Sequence, residues 1–148
     1  MRIKGFIKGG KFGPAYVIAT IIIKDLDIKS PIELLLDTGA TRTTILDRDA
    51  IRLGIDYSKL EKHREGTLGI GGVVETYIIR NIELVFITED RKHYKERLDM
   101  IYVLKHKTLN EKILRLPSIL GRDVLNKYKL VLHGQKGIAI ITDEILQI

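Results

Sequence analysis

The chain has 148 residues, 45% hydrophobic and 30% charged, with 25 Lys and Arg against 19 Asp and Glu for a formal charge of +6. That length predicts a single domain spanning 1–148 around one core, and no apolar stretch reaches the roughly 18 residues of a membrane span. The absence of cysteine excludes disulfides, thiolate nucleophiles and cysteine-ligated metals and makes a cytoplasmic location the default expectation.

The N-terminal stretch places basic residues before the apolar run of 15–23, but Lys24 and Asp25 follow directly with no small-residue cleavage site, so no signal peptide is read. Residues 5–12, GFIKGGKF, approximate a phosphate-binding loop, yet Phe12 stands where a hydroxyl is needed and a strand pattern follows instead of a helix. Alternating or continuous β-branched runs predict strands at 15–24, 32–37, 73–87, 98–104, 118–121, 128–133 and 137–142, which makes this a mainly β protein.

Two short helices interrupt the strands. In DRDAIRLGI (47–55), Asp47 is placed to cap, Ala50, Ile51 and Leu53 supply an apolar side, and Gly54 ends the helix. In GRDVLNKY (121–128), Val124 and Leu125 share a face. HGQKG (133–137) reads as a hairpin loop, while 88–97 and 105–115 read as surface excursions. GIGGVV (69–74) lacks the third glycine and the helix of a dinucleotide site. His63, His93, His106 and His133 have no metal-ligand spacing, so no metal is expected. Cations interleaved with acids, as in EDRKHYKERLD (89–99), describe a solvated surface better than a nucleic-acid patch.

The stretch LLLDTGATRTTIL (34–46) ends an apolar run on Asp37 and opens into small residues. Taken alone it has two readings, a carboxylate capping a turn or one held partly desolvated at the floor of a cleft. TLGIGGVVETY (67–77) adds a glycine-rich tip between strand patterns, suited to a hairpin that closes over a ligand. LPSILGRDVLNKYKL (116–130) adds an apolar strand, a glycine turn and a helix beginning at Arg122.

In three motifs, D-T-G-A (37–40), G-I-G-G (69–72) and I-L-G-R-D (119–123), the sequence resembles the retropepsins, the retroviral-type aspartic proteases, over roughly residues 13–142. The resemblance implies a mainly β, closed barrel of the acid protease fold with one or two short helices, functional as a homodimer. It implies a peptide or unfolded protein substrate and no metal or organic cofactor, while the interleaved charges and the lack of a long apolar stretch make neither nucleic acid nor membrane an expected partner. Asp37 is then the catalytic carboxylate. Aspartic proteases use two carboxylates sharing a proton, and with a single D-T-G the second comes from Asp37 of an identical subunit.

By the same resemblance Thr38 interlocks across the dimer, Gly39 contacts substrate backbone and Ala40 completes the loop. Gly69, Ile70, Gly71 and Gly72 form the flap, with the Ile70 N–H on a substrate-bridging water, and Gly121 and Arg122 underlie the site. Ala40 lacks the hydroxyl that pepsin-like enzymes aim at the aspartate, so activity is expected at mildly acidic to near-neutral pH. Thr41 stands where retroviral enzymes carry an acid for the arginine, which leaves the partner of Arg122 open, and Arg42 follows it, leaning towards acidic or polar substrate groups. The N-terminal dozen residues and 88–115 have no counterpart, and 143–148 either join an interface strand or fray. Since fold does not guarantee activity, a catalytically weak binding or dimerisation module of the same fold is the alternative.

Overall fold

A computed structural model describes residues 1–63, 67–69 and 72–145. In chain order its elements are β1 (Arg2–Lys4), β2 (Phe6–Ile7), β3 (Ala15–Ile23), β4 (Ile28–Leu36), β5 (Thr44–Ile45), α1 (Asp47–Leu53), β6 (Glu61–Lys62) and β7 (Thr67–Gly69). They continue with β8 (Gly72–Ile87), β9 (His93–His106), α2 (Glu111–Leu114), β10 (Ser118–Leu120), α3 (Arg122–Leu125), β11 (Lys129–His133) and β12 (Ile138–Thr142).

Six strands close a barrel in the order β3, β4, β10, β5, β9, β8, with β8 returning to β3. The β4–β10 and β5–β9 pairs are parallel and the others antiparallel. β3 shows why the chain takes this form: Ala15, Val17, Ala19, Ile21 and Ile23 are buried while the residues between them are not, the period of two that places one strand face on the core. Ile21, Leu34, Ile45, Leu84, Phe86 and Val103 meet in the barrel interior, each no more than 1% exposed.

β8 changes partners along its length within one sheet. Its Ile82–Val85 stretch pairs with β3 to close the barrel, whereas Tyr77 and Ile78 pair with β6 and Val73 and Val74 with β7. Asn81 lies between these stretches with φ 56°, a left-handed conformation that Asn tolerates better than most residues, and the β8–β9 ladder skips it, running from Arg80↔Met100 to Ile82↔Leu98. Across this bend the buried positions on β9 change parity, from Glu96 and Leu98 to Ile101 and Val103.

Several boundaries differ from expectation. β4 begins at Ile28, through Pro31, because at Pro31 the strand pairs only with β3; β10 joins its other edge from Leu34 onward, so the missing N–H of proline costs no ladder bond. Of the expected excursion 88–97 only 88–92 is a turn, since the charged run HYKERL alternates outward side chains with buried Glu96 and Leu98 at the start of β9. The second excursion contains α2, capped by Asn110, whose side chain accepts the Ile113 N–H at 2.9 Å.

In α1 the cap is Leu46 without a side-chain bond, and Asp47 does not cap: its carboxylate accepts the His106 N–H at 2.9 Å and lies 2.5 Å from His106 Nδ1. Ile51 is 59% exposed, so the apolar side of this seven-residue helix is carried by buried Ala50 and partly buried Leu53. Gly54 ends it in the left-handed conformation, as expected. Val124 and Leu125 are both buried on α3, and HGQKG does join β11 to β12.

The N-terminal segment also has a place. β1 pairs with β12, and β12 with β11, in a three-stranded sheet formed within one chain. Met1 N donates to Asp143 Oδ1 at 2.8 Å, which fastens one end of this sheet. Residues 146–148 of the expected interface strand lie outside the described residues.

Candidate active site

Asp37 is the first residue past β4, at the point where the parallel neighbour β10 also ends, so the two strands release their chains side by side. Its N–H donates to the Leu120 carbonyl at 3.1 Å, a last bond from the strand region. The chain then turns: Ala40 N–H donates to the Asp37 carbonyl at 3.2 Å, and Gly39 N–H donates to Asp37 Oδ1 at 2.8 Å. This second bond orients the carboxylate. A Cβ at Gly39 would stand 3.1 Å from Oδ1, so glycine admits the approach that the bond needs. Asp37 and Ala40 are half-buried, while Thr38 and Gly39 are exposed at the surface of the single chain.

The loop is braced from the opposite end of the sequence. Gly121 N–H donates to Thr43 Oγ1 at 3.2 Å, Arg122 N–H to the Ala40 carbonyl at 2.8 Å and Asp123 N–H to the Thr41 carbonyl at 3.1 Å. A Cβ on Gly121 would meet the Arg42 carbonyl carbon at 2.6 Å and its oxygen at 2.8 Å; only glycine lets the two segments pass so closely. The open question of Arg122 is answered by Thr38 and Thr41. Its Nη1 donates to the Thr38 carbonyl at 2.7 Å and its Nη2 to Thr41 Oγ1 at 3.2 Å. A hydroxyl and a carbonyl thus receive the guanidinium where an acid was absent.

Two members of this brace, Thr43 and Asp123, were not singled out from the sequence. Asp123 accepts Thr43 N–H at 2.9 Å and Thr43 Oγ1 at 2.8 Å, tying the far side of the loop to α3. The acid directly after the glycine and arginine of I-L-G-R-D was the available signal. The structure therefore brings together Asp37, Thr38, Gly39, Ala40, Gly121 and Arg122, and adds Thr41, Thr43 and Asp123.

Gly69 and Gly72 form a separate group, opposite each other at the end of the β7–β8 ladder. That is the pairing of a hairpin tip. Ile70 and Gly71, the remaining flap residues, lie outside the described residues. Among the described residues no three His, Asp or Glu side chains gather in a way that could hold a metal ion, and His106 is engaged with Asp47. No described helix is long and apolar enough to cross a membrane.

A closed barrel that releases an aspartate on a glycine turn, braced by a second glycine and an arginine, defines the aspartic protease class of fold. The family model for the retroviral aspartyl protease matches residues 15–133, and the chain belongs to that family. A retropepsin-like aspartic protease from Rickettsia conorii is 19% identical, covers 95% of this chain and 91% of its own, and superposes with a TM-score of 0.57, which shows the shared fold. The EIAV protease complexed with the inhibitor HBY-793 is 26% identical over 82% of this chain and 95% of its own, with a TM-score of 0.49. The retroviral protease-like domain of Ddi1 from Leishmania major matches at 14% identity over 88% and 98%, with a TM-score of 0.42. No curated protein matches the chain.

Proposed function

We propose that this protein is an aspartic endopeptidase whose single domain, residues 1–148, works as a homodimer. Asp37 and Asp37 of a second copy share one proton and activate a water between them. The observation that carries this reading is the Asp37 carboxylate itself, half-buried and oriented by the Gly39 N–H, on a loop whose exposed Thr38 and Gly39 face away from the barrel's own core. Members of the family act as dimers, and one chain supplies one D-T-G.

In the reaction the ionised carboxylate removes a proton from water, and the resulting oxygen attacks the scissile carbonyl. The protonated carboxyl group donates to the carbonyl oxygen as the gem-diol forms, and collapse expels the amine with a proton. Thr38 meets its counterpart across the dimer, Gly39 and Ala40 present the loop to substrate, and Gly121 and Arg122 hold that loop in position. The β7–β8 hairpin, with Gly69, Ile70, Gly71 and Gly72 at its tip, covers an extended peptide that adds strand-type backbone bonds.

The test is hydrolysis of casein from about pH 3 to about pH 8 by the wild type and by Asp37→Asn in parallel, with pepstatin in a third sample. Cleavage by the wild type that disappears in Asp37→Asn is expected, with a maximum at mildly acidic to near-neutral pH. Equal silence of the two proteins, both folded and dimeric, would instead identify a binding module of the same fold.

A further inference from the structure

Arg42 lies two positions beyond Ala40, and its backbone is held from three directions. Gly121 packs against its carbonyl group, that carbonyl accepts Thr44 Oγ1 at 3.0 Å, and the flanking Thr41 and Thr43 are engaged by Arg122 and Asp123. The half-buried side chain turns onto the ring of Tyr102, with the guanidinium carbon 5.8 Å from the ring centroid. Tyr102 packs edge-on against His63 at 5.5 Å between centroids, and the His63 N–H donates at 2.8 Å to the Thr76 carbonyl on β8. A row of three side chains thus runs from the Asp37 loop to the root of the β7–β8 hairpin.

At the loop end of this row stands a cation, Arg42. Arg2, Arg48, Arg52, Arg80, Arg97 and Arg115 each face a carboxylate, but Arg42 makes no ion pair among the described residues. An arginine stacked on an aromatic face has already lost much of its rotamer freedom while keeping its donor edge for a planar acceptor. Partial burial strengthens any charge-assisted bond that this edge forms. The +6 charge of the chain draws acidic segments toward the surface at long range.

We infer that Arg42 is a specificity-determining residue, receiving the carboxylate of a Glu or Asp side chain in a peptide bound between the Asp37 loop and the hairpin. The inference rests on the peptidase reading for its substrate class, and binding tests it separately from catalysis. Fluorescein-labelled octapeptides carrying Glu or Gln at each position in turn are titrated against Asp37→Asn, followed by fluorescence anisotropy. At one position Glu is expected to bind about tenfold more tightly than Gln, a ratio typical of one charge-assisted bond, and added salt reduces it.

In Asp37→Asn/Arg42→Gln that ratio falls to about one, and in Asp37→Asn/Arg42→Glu it inverts, as loss and reversal of a charge partner require. Arg91→Gln in the same background removes an exposed cation from the turn between β8 and β9 and keeps the preference. Absence of any Glu preference, or its survival in Arg42→Gln with circular dichroism unchanged, overturns the inference. Wild-type cleavage of the same set separates the two readings. A binding preference without cleavage leaves Arg42 standing and removes the peptidase, whereas cleavage indifferent to Glu removes Arg42 alone.

Discussion

At the scale of single residues, two positions concentrate large effects in few atoms. At Gly121 the strand before α3 packs so tightly on the loop after β4 that a Cβ would meet the Arg42 carbonyl carbon at 2.6 Å. Gly121→Ala forces backbone against backbone, so it is expected to cost about 3 kcal/mol, the upper end for overpacking, and to lower the urea midpoint together with any Asp37-dependent activity. Full activity and an unchanged midpoint would show that the loop yields freely. Tyr57 is set apart by its surroundings. Burial, with smaller contributions from Asp47 and Tyr77, pushes its phenol up to about 12 from 10.0, while its hydroxyl lies 3.4 Å from the Leu104 carbonyl. Because the folded value is the higher one, the unfolded chain loses this proton first. The stability it brings is complete below pH 10 and is lost as pH rises through about 12. The difference in urea midpoint between the wild type and Tyr57→Phe should therefore shrink on going from about pH 9 to about pH 11.5; a constant difference would contradict the assignment.

At the scale of elements, α1 shows how a short helix is held where its apolar face is too small to hold it. A helix of seven residues has little stability by itself, and outward-facing Ile51 contributes nothing to the core. The helix is docked by two buried acids. Asp47 grips both the backbone and the ring of His106 at the end of β9, and Asp49 accepts Ser118 Oγ from β10 at 2.6 Å. Ser118 Oγ in turn accepts the Leu46 N–H at 3.0 Å, supplying a partner just before the helix. Asp47→Ala strips the His106 N–H of its acceptor inside the protein. Removing one partner of a buried pair typically costs 3–5 kcal/mol, and about 3 kcal/mol is expected here. Chemical denaturation of Asp47→Ala, His106→Ala and the double variant checks this: a coupling near zero would mean that the pair does not anchor α1.

At the scale of the whole molecule, one chain supplies one of the two carboxylates that the proposed function needs. Asp123 is committed to Thr43, and Asp37 stands at the surface with exposed neighbours. Under the proposed function a competent site exists only in a dimer carrying two intact aspartates. Mixing wild type with an equal amount of Asp37→Asn, after subunit exchange, should then reduce activity to roughly half, since random pairing leaves only about a quarter of dimers wholly wild type. Specific activity should also rise with protein concentration through the dimerisation range. Activity that ignores both the inactive partner and dilution would place a complete site within one subunit. The three-stranded sheet bears on the strength of that dimer, because β1 is already paired with β12 of its own chain.

Much of this protein was legible locally. The alternation in β3, the apolar run ending at Asp37, the glycine at the end of α1 and the glycine–arginine turn before α3 are decided within a few residues, because side-chain period, backbone freedom and turn chemistry act at that range. Asp47 marks where that legibility ends. Its position favoured a helix cap, yet the fold brings His106 within reach 59 positions away and turns the carboxylate inward. The same holds for Arg122 with Thr38, for Asp123 with Thr43, for the closure of β8 onto β3 and for Arg42 over Tyr102. These partners are set by strand register and by the need of buried polar groups for a bonding partner, and both are properties of the closed barrel. The sequence by itself determined the class of fold and the aspartate on which the chemistry is proposed to rest. Only the tertiary structure decided what holds that aspartate in place, because each supporting contact joins residues that the chain keeps far apart and the barrel makes neighbours.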